Sequence, residues 1–225
     1  MTALRRCDDR TAADGRPPLP AGLDAVAFDW LAALFARPPG AAAVAAHHAE
    51  PLAGLLADLA ADPDLAAPIA ALRAATGGEA DAAAIRIAVA HGRLFDGLAG
   101  PETVPPHESA HVGDGRLFGP AVADMERLIA THDLGIADEL REPADHVAIE
   151  LAVLAHLTRL DHPDRVALAE RLAAWVPAFA RACAAHDRAG FHAAAARIAA
   201  ILIERGPRDH TSSRDETNDE KRRTR

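Results

Sequence analysis

Apolar residues recur every three or four positions through most of the chain, a spacing that places them on one face of an α-helix. In the first such stretch Leu23, Trp30 and Phe35 share a face, and the helix must end before Pro38. The same spacing recurs over residues 52–59, 62–77, 79–95, 118–135, 143–160, 163–186 and 191–206. No segment alternates apolar and polar residues as a half-buried strand does. The pattern therefore predicts an all-α bundle of roughly nine to eleven helices.

Residues at the helix ends refine these boundaries. Asp62 and Pro63 are typical of a helix N-cap and a first helical position. Gly135 is suited to the left-handed conformation that ends many helices. Pro177 must either kink the helix that contains it or begin a new one.

The longest irregular stretch, residues 96–115, follows the helix over residues 79–95 and is rich in Gly and Pro. The apolar positions of that helix are Ile85, Val89 and Leu94. Loops of this length inside a compact domain are usually functional or disordered. We expect a functional loop here.

Composition supports the helical interpretation. Half of the 225 residues are hydrophobic, but much of this fraction is Ala, aromatic residues make up 4% and Tyr is absent. Ala is the residue that costs least to place in a helix. We predict one domain over residues 21–206, between a disordered leader (residues 1–20) and a disordered charged tail (residues 207–225).

The formal net charge of -9, from 33 acidic and 24 basic side chains, repels polyanions, so the expected partner is basic and not a nucleic acid. The two cysteines, Cys7 and Cys183, are too few for a disulfide framework, which indicates a reducing compartment. No run approaches the roughly 18 apolar residues of a membrane span. Polar residues follow Arg5-Arg6 where an export signal needs an apolar region, so we predict a cytoplasmic protein.

The stretch E-P-A-D-H at residues 142–146 carries the most distinctive chemistry. Pro143 suits the first turn of a helix, and the two carboxylates of the stretch place negative charge at its positive end. The sequence thus predicts a helix that begins at this proline and presents Asp145 and His146 side by side, with Glu150 one turn later. Such a group is either a binding site or a polar helix cap.

A second polar segment, P-P-H-E-S-A-H at residues 105–111, lies between an R-L-F run at residues 93–95 and an L-F-G turn at residues 117–119. In this order and spacing, the segments resemble the TorD/DmsD family of cytoplasmic chaperones. Its members carry R-L-F, P-P-aromatic-x-S, L-F-G and E-P-x-D-H. W-V-P-A-F at residues 175–179 resembles the W-x-P-x-F of the family.

The resemblance covers roughly residues 21–205. It implies a TorD-like fold with lobes at about residues 21–131 and 136–206, joined by a hinge near residues 132–146. It also implies a chaperone without enzymatic activity. Such a chaperone binds the twin-arginine signal peptide of a molybdopterin-containing oxidoreductase precursor and holds the catalytic subunit until cofactor insertion and export.

The binding residues of the family fall in the matched segments. Carried over by position, with two neighbouring carboxylates added, the predicted signal-peptide site comprises His91, Leu94, Phe95, Pro106, His107, Glu108, Ser109, His111, Gly119, Glu142, Pro143, Asp145 and His146. At positions 91, 107 and 111 many relatives have Trp or Tyr, whereas this chain has His. Imidazole keeps a flat ring but adds a polar edge. This difference leaves open which enzyme precursor the protein binds, and it is expected to make binding sensitive to pH. Alternatively, these positions only pack the loop onto the bundle.

A twin-arginine peptide offers two guanidinium groups and an apolar run, so its receptor needs carboxylates beside an apolar groove. The predicted carboxylates and apolar side chains are Glu108, Glu142, Asp145, Glu150, Leu94, Phe95, Leu117 and Phe118. We expect the loop to lie against the N-terminus of the Pro143 helix, so that His107 and Asp145 line one groove. Asp145 would then face an arginine, and His146 would orient it or bond the peptide backbone.

Twelve histidines leave open a different class, a small helical metal-dependent hydrolase. Two sets offer nitrogen and oxygen ligands: His107 and His111 with Glu108, and Asp145 and His146 with Glu150. The Glu-x-x-His pairs of di-iron bundles are absent. The His132-Asp133 pair of a phosphohydrolase has no outer ligands that can be placed. We predict no catalytic residue and no metal site.

Ser109 lacks the strained turn of a serine nucleophile, and the Gly113-x-Gly115 cluster is too short for a phosphate-binding loop. Some relatives are linked to weak guanine-nucleotide binding, for which no motif is present. We therefore predict no cofactor, and leave open a transient contact with guanine nucleotide or molybdopterin. The protein is either a monomer or a dimer formed by swapping lobes across residues 96–142.

Overall fold

A computed structural model describes residues 22–97, 100–112, 119–137 and 140–206 of the protein. These ranges contain nine α-helices, two 3₁₀ turns and no strand, which confirms the all-α prediction. The helices are α1 (Leu23–Ala36), α2 (Ala41–Ala46), α3 (Leu52–Ala60), α4 (Pro63–Ala75), α5 (Ala80–Leu94), α6 (Pro120–Thr131), α7 (Val147–Arg159), α8 (Asp164–His186) and α9 (Phe191–Arg205). The 3₁₀ turns span Gly100–Glu102 and Glu108–Ala110. The predicted leader and tail, and Leu117 and Phe118 of the predicted groove, lie outside the described residues.

Helix α7 is the centre of one continuous apolar core. Val147, Leu151, Leu154 and Leu157 are buried as predicted, and buried residues also occupy its other sides. A helix that is apolar all round belongs in an interior. Helix α1 packs on α7 and α9, and α8 packs on the same two helices. Among the described residues, α1 thus shares a core with α7, α8 and α9, while the division into two lobes stays a prediction.

Asp62 caps α4 as predicted, because its Oδ1 accepts a hydrogen bond of 2.9 Å from the backbone N–H of Asp64. The Arg205 guanidinium, at the end of α9, also binds both oxygens of Asp62. This pairing holds the pKa of the Asp62 carboxyl below its usual range. The contact joins the start of α4 to the end of α9.

The end of α6 differs from the prediction. The helix ends at Thr131, and Asp133 takes the left-handed conformation (φ 54°) in place of Gly135. Leu134 N–H bonds to Ile129 C=O at 3.0 Å, which closes the helix before the glycine is reached.

Helix α8 continues without interruption through Pro177, so this proline does not begin a new helix. On α5 the apolar assignment was wrong for Ile85 and Val89, which are exposed. The buried side of α5 instead contains Ile87 among small residues, mainly Ala, which let neighbouring helices approach closely. None of the helices in the described ranges combines the length and apolar composition that a membrane crossing requires.

Candidate functional site

The predicted site centres on the point where residues 106–109 cross the N-terminus of α7. Glu108 N–H donates to Asp145 C=O at 3.0 Å, and Val147 N–H donates to Pro106 C=O at 2.8 Å. These bonds form an isolated antiparallel bridge between residues 107 and 146. The predicted contact between the loop and this helix is confirmed. Residues 143–146 form a turn, closed by a hydrogen bond from His146 N–H to Pro143 C=O, and His146 itself is extended, so α7 begins at Val147 and not at Pro143.

Asp145 is fully buried beneath the loop. Its Oδ2 accepts a hydrogen bond of 3.0 Å from the backbone N–H of Ser109, 36 positions away in sequence. Its Oδ1 and the Ser109 hydroxyl are buried and have no hydrogen-bond partner among the described residues. A carboxylate in this position holds the loop in place and does not face an arginine from outside, which corrects the predicted direct contact.

His146 is the N-cap of α7, because its Nδ1 accepts a hydrogen bond of 3.1 Å from Ala148 N–H. Burial, with smaller contributions from His107 and His91, lowers the pKa of His146 to about 3. The ring is therefore neutral at physiological pH. Because Nδ1 accepts a hydrogen bond, the proton of the neutral ring is on Nε2.

Glu108 and Glu150 form a second buried polar group with Arg171 of α8. Arg171 Nε donates to Glu108 Oε2 at 2.7 Å, and Trp175 Nε1 donates to Glu150 Oε2 at 3.1 Å. Burial and the adjacent charge of Glu108 raise the pKa of Glu150 well above its ordinary value. Both groups were predicted to be carboxylates open to the groove, and neither is. Glu108 is paired with Arg171 within the chain, and Glu150 is enclosed.

Two carboxylates near the site do reach solvent. Glu142 is 42% exposed, and its Oε2 lies 3.2 Å from His107 Nε2. Asp96 is 60% exposed, and its Oδ2 lies 3.9 Å from Nδ1 of His91. Burial lowers the pKa of His91 despite opposing contributions from Asp96 and Glu142. Both exposed carboxylates therefore lie close enough to His91 to act on it.

His91 is part of a group of packed rings. Its ring meets the edges of Phe95 and His192, with ring centres 5.0 and 5.5 Å apart. Phe95 stacks on Phe179 at 6.0 Å, and Leu94 beside it is buried in the core. The ring at position 91 thus packs α5 against α9, in agreement with the packing alternative.

His111 has a similar position at the other side of the loop. It stacks on Trp175 with ring centres 5.4 Å apart, and its Nε2 donates to Pro105 C=O at 2.8 Å. Burial lowers the pKa of His111, so this ring is also neutral at physiological pH. Stacking on Trp175 closes the loop over α8.

Gly119 lies at the edge of the site as the N-cap residue of α6. It is linked to the centre through Arg171, whose Nη2 donates to Ala121 C=O at 2.7 Å. Sequence reasoning did not include Arg171, Asp96 or His192 in the site. Arg171, Trp175 and Phe179 are spaced four apart on α8, a stripe that could have been recognised as the surface under the loop.

The histidines and carboxylates near the start of α7 are engaged with other groups of the chain. One nitrogen or oxygen each of His107, Glu142 and His146 lie within 4.8 Å of one another. However, the buried His146 uses its Nδ1 lone pair to cap α7 and carries its proton on the other nitrogen. His111 is bonded to a carbonyl and Glu108 to an arginine, so this set does not assemble either.

Comparison with known proteins gives consistent matches. A family model described as nitrate reductase delta subunit matches residues 58–186. The chain is 29% identical over 190 residues to a chaperone protein TorD of Vibrio cholerae serotype O1, which covers 78% of this chain and 86% of that protein. It is 31% identical over 186 residues to a chaperone protein TorD of Photobacterium profundum, covering 75% and 85%. A third protein of this name, from a Psychrobacter species, is 30% identical over 71% and 78% of the two chains.

Proposed function

Because the chain belongs to the TorD family of chaperones, we propose that it binds the twin-arginine signal peptide of a molybdopterin-containing oxidoreductase precursor in the cytoplasm. It holds the catalytic subunit of that enzyme until the cofactor is inserted and the enzyme is exported. No nucleotide or cofactor takes part as a resident group. The relatives are named as chaperones, and a metal-dependent hydrolase is not favoured.

The observation that carries this proposal is the convergence of segments that are distant in sequence. His91 near the end of α5, the loop residues 105–111 and the E-P-A-D-H stretch lie close together at the N-terminus of α7, and the loop also bonds to α5 through Val104 N–H and Leu94 C=O. Two solvent-exposed carboxylates, Asp96 and Glu142, lie beside their rings. Two carboxylates that flank a flat ring suit the two guanidinium groups of a twin-arginine peptide.

The predicted binding residues then divide into two roles. Glu142 and Asp96 contact the arginines, with His107 oriented by its contact with Glu142. The buried members of the site, which hold the loop and the helix start in position, are Leu94, Pro106, Glu108, Ser109, Asp145 and His146. The exposed residues contribute the binding energy for the peptide, and the buried residues fix the geometry of the site.

The apolar run of the peptide fits a groove beside the R-L-F run. The groove has a volume of about 350 Å³, and Ile85, Val89 and Leu94 contribute to its lining. Exposed apolar side chains that line a concave surface are typical of a peptide-binding site. Arg86, Arg93 and Arg188 also line the groove. Glu102 lies 3.6 Å from Arg93 and 3.9 Å from Arg188, and it offsets part of this positive charge toward a basic peptide.

The test is calorimetric titration with a synthetic peptide that carries two adjacent arginines before an apolar run, and with the same peptide carrying two glutamines. Glu142→Gln and Asp96→Asn should each weaken binding of the arginine peptide by about 5–30-fold, as expected for loss of one or two kcal/mol. Neither variant should change binding of the glutamine peptide.

Glu204→Gln is the matched control, because it changes an exposed carboxylate near the far end of α9. It lies about 18 Å along that helix from His192, which contacts His91. If both site variants bind the arginine peptide as tightly as the control, the two carboxylates do not recognise arginine and the proposed site is wrong.

A further inference from the structure

Two helices end in the same unusual way and bring two histidines toward the start of α8. Asp133 after α6 and Asp161 after α7 are left-handed, with φ of 54° and 50°. Residues other than Gly pay roughly 1–2 kcal/mol for this conformation. His132 and His162 adjoin these turns, and their rings meet edge to face with centres 4.6 Å apart.

Asp164, the first residue of α8, lies between the two rings. His132 Nε2 is 2.9 Å and His162 Nδ1 is 3.7 Å from Asp164 Oδ2. One ligand atom of each residue lies within 4.8 Å of the other two. Ligands bound to a tetrahedral metal at about 2.0–2.2 Å are roughly 3.4 Å apart, so small side-chain rotations suffice for coordination.

We propose that His132, His162 and Asp164 form a binding site for Zn²⁺. Two imidazole nitrogens and one carboxylate oxygen suit this ion, whereas Ca²⁺ and Mg²⁺ require mainly oxygen ligands. The side chains of His132, His162 and Asp164 are 9%, 39% and 42% exposed. One side of the group is therefore open, and a water molecule can supply the fourth ligand.

The hydrogen bonding of the His162 ring suits this role. Its Nδ1 accepts a hydrogen bond of 3.2 Å from Asp164 N–H, so this nitrogen carries a lone pair and the proton is on Nε2. A metal ion takes the lone pair when the exposed ring turns. The buried ring of His146 has no such freedom, and this difference separates the zinc site from the rejected histidine group at the other end of α7.

The expected effect of the metal is structural. The 13 residues of α7 separate His162 from the N-terminus of that helix by about 20 Å, so the zinc site does not share side chains with the proposed peptide site. Zinc bound here ties the chain that leaves α6 to the first turn of α8. It should raise the thermal stability of the folded protein without changing peptide binding.

The experiment is calorimetric titration of chelator-treated full-length protein with Zn²⁺, together with thermal melts. One equivalent should bind, and His162→Gln and Asp164→Asn should each weaken binding by at least about tenfold and remove the zinc-dependent rise in Tm. Titration with Co²⁺ gives a second readout, since tetrahedral ligation produces an intense visible absorption that the variants should lose.

His48→Gln is the matched control, because it removes an exposed histidine that belongs to neither histidine group. Melts in chelator establish that each variant is folded before zinc is added. Absence of zinc binding to the wild type, or equal binding by His162→Gln, Asp164→Asn and the control, would overturn the proposal. Peptide titration of the same variants distinguishes this result from failure of the proposed function.

Discussion

Glu150 lies in the interior, where burial raises the pKa of its carboxyl group well above the ordinary value. It is enclosed between Trp175, which donates a hydrogen bond to it, and the pair formed by Glu108 and Arg171. Arg171 Nη2 is 4.0 Å from Glu150 Oε1, too far for a hydrogen bond. The guanidinium therefore stabilises Glu108 more than Glu150, and burial raises the pKa of the second carboxyl.

Glu150→Gln should stabilise the protein increasingly as pH rises. The folded-state pKa of Glu150 is raised above its ordinary value of 4.5, so its contribution to stability is complete below that pH and is lost as pH rises toward the folded pKa. The loss is up to about 1.4 kcal/mol per pH unit over this interval. Gln keeps an acceptor for Trp175 and cannot ionise.

Urea unfolding at about pH 5, 6.5 and 8 measures the effect. The gain in unfolding free energy of Glu150→Gln over wild type should grow across this series, and Glu204→Gln should show no such trend. A gain that is independent of pH would show that Glu150 is ionised in the folded protein.

At the scale of elements, the start of α7 and the loop that crosses it form one unit. Backbone hydrogen bonds on both sides of residue 107 attach the loop to the helix start, and the Asp145 side chain adds the bond to Ser109. The loop is thus held by the element whose N-terminus it covers. A change at Asp145 should therefore be detected in the loop, far away in sequence.

Asp145→Ala should release the loop, whereas Asp145→Asn should retain it. Ala leaves the buried N–H of Ser109 without an acceptor, at a cost of about 1–3 kcal/mol, while the Asn side-chain oxygen still accepts that bond. Hydrogen exchange read by mass spectrometry should be faster over residues 106–112 in Asp145→Ala, with Asp145→Asn close to wild type. Equal exchange in both variants would mean that the backbone bridge alone holds the loop.

At the scale of the whole molecule, the chain contains a set of histidines that its fold keeps neutral. Burial lowers the pKa of His47, His91, His111, His146 and His192, and the value reaches about 3 for His146 and His192. Four of these rings, those of His47, His91, His111 and His192, pack against Trp or Phe side chains. Such a core is stable only while the rings are uncharged.

The protein should lose stability steeply as pH falls below about 6.5. Each histidine with a lowered folded-state pKa contributes stability above its ordinary value of 6.5 and loses it as pH falls toward the folded pKa. The loss is up to about 1.4 kcal/mol per pH unit for each group. Glu150 acts in the opposite direction, but it is one group against five.

His192→Phe tests this expectation, because it removes one buried titrating ring from among His91, Phe95 and Phe191. The slope of unfolding free energy against pH between about 5 and 6.5 should become shallower than in wild type. His186→Gln, at an exposed position, should leave the slope unchanged. An unchanged slope for His192→Phe would mean that this ring does not titrate on unfolding.

Local patterns were sufficient for most helix boundaries. The cap formed by Asp62 and the helix predicted from the first apolar stretch depend on a few neighbouring residues, and the structure confirms both. The same holds for the order of segments that indicated the family. Where a distant segment competes, local patterns fail, as at Pro143, where pairing with the loop delays the helix by four residues.

Burial and charge state depend on what packs against a side chain from elsewhere in the chain. Asp145 and Glu150 looked like open anchors for arginine, but the loop and α8 enclose them, while Glu142 and Asp96 reach solvent. The exposure of Val89 likewise depends on which elements pack against α5, and its place in the apolar pattern did not reveal it. The order of the residues by itself therefore determined the helices and the family resemblance. Which carboxylates can contact a partner was decided only by the tertiary packing, because desolvation is a property of the assembled fold.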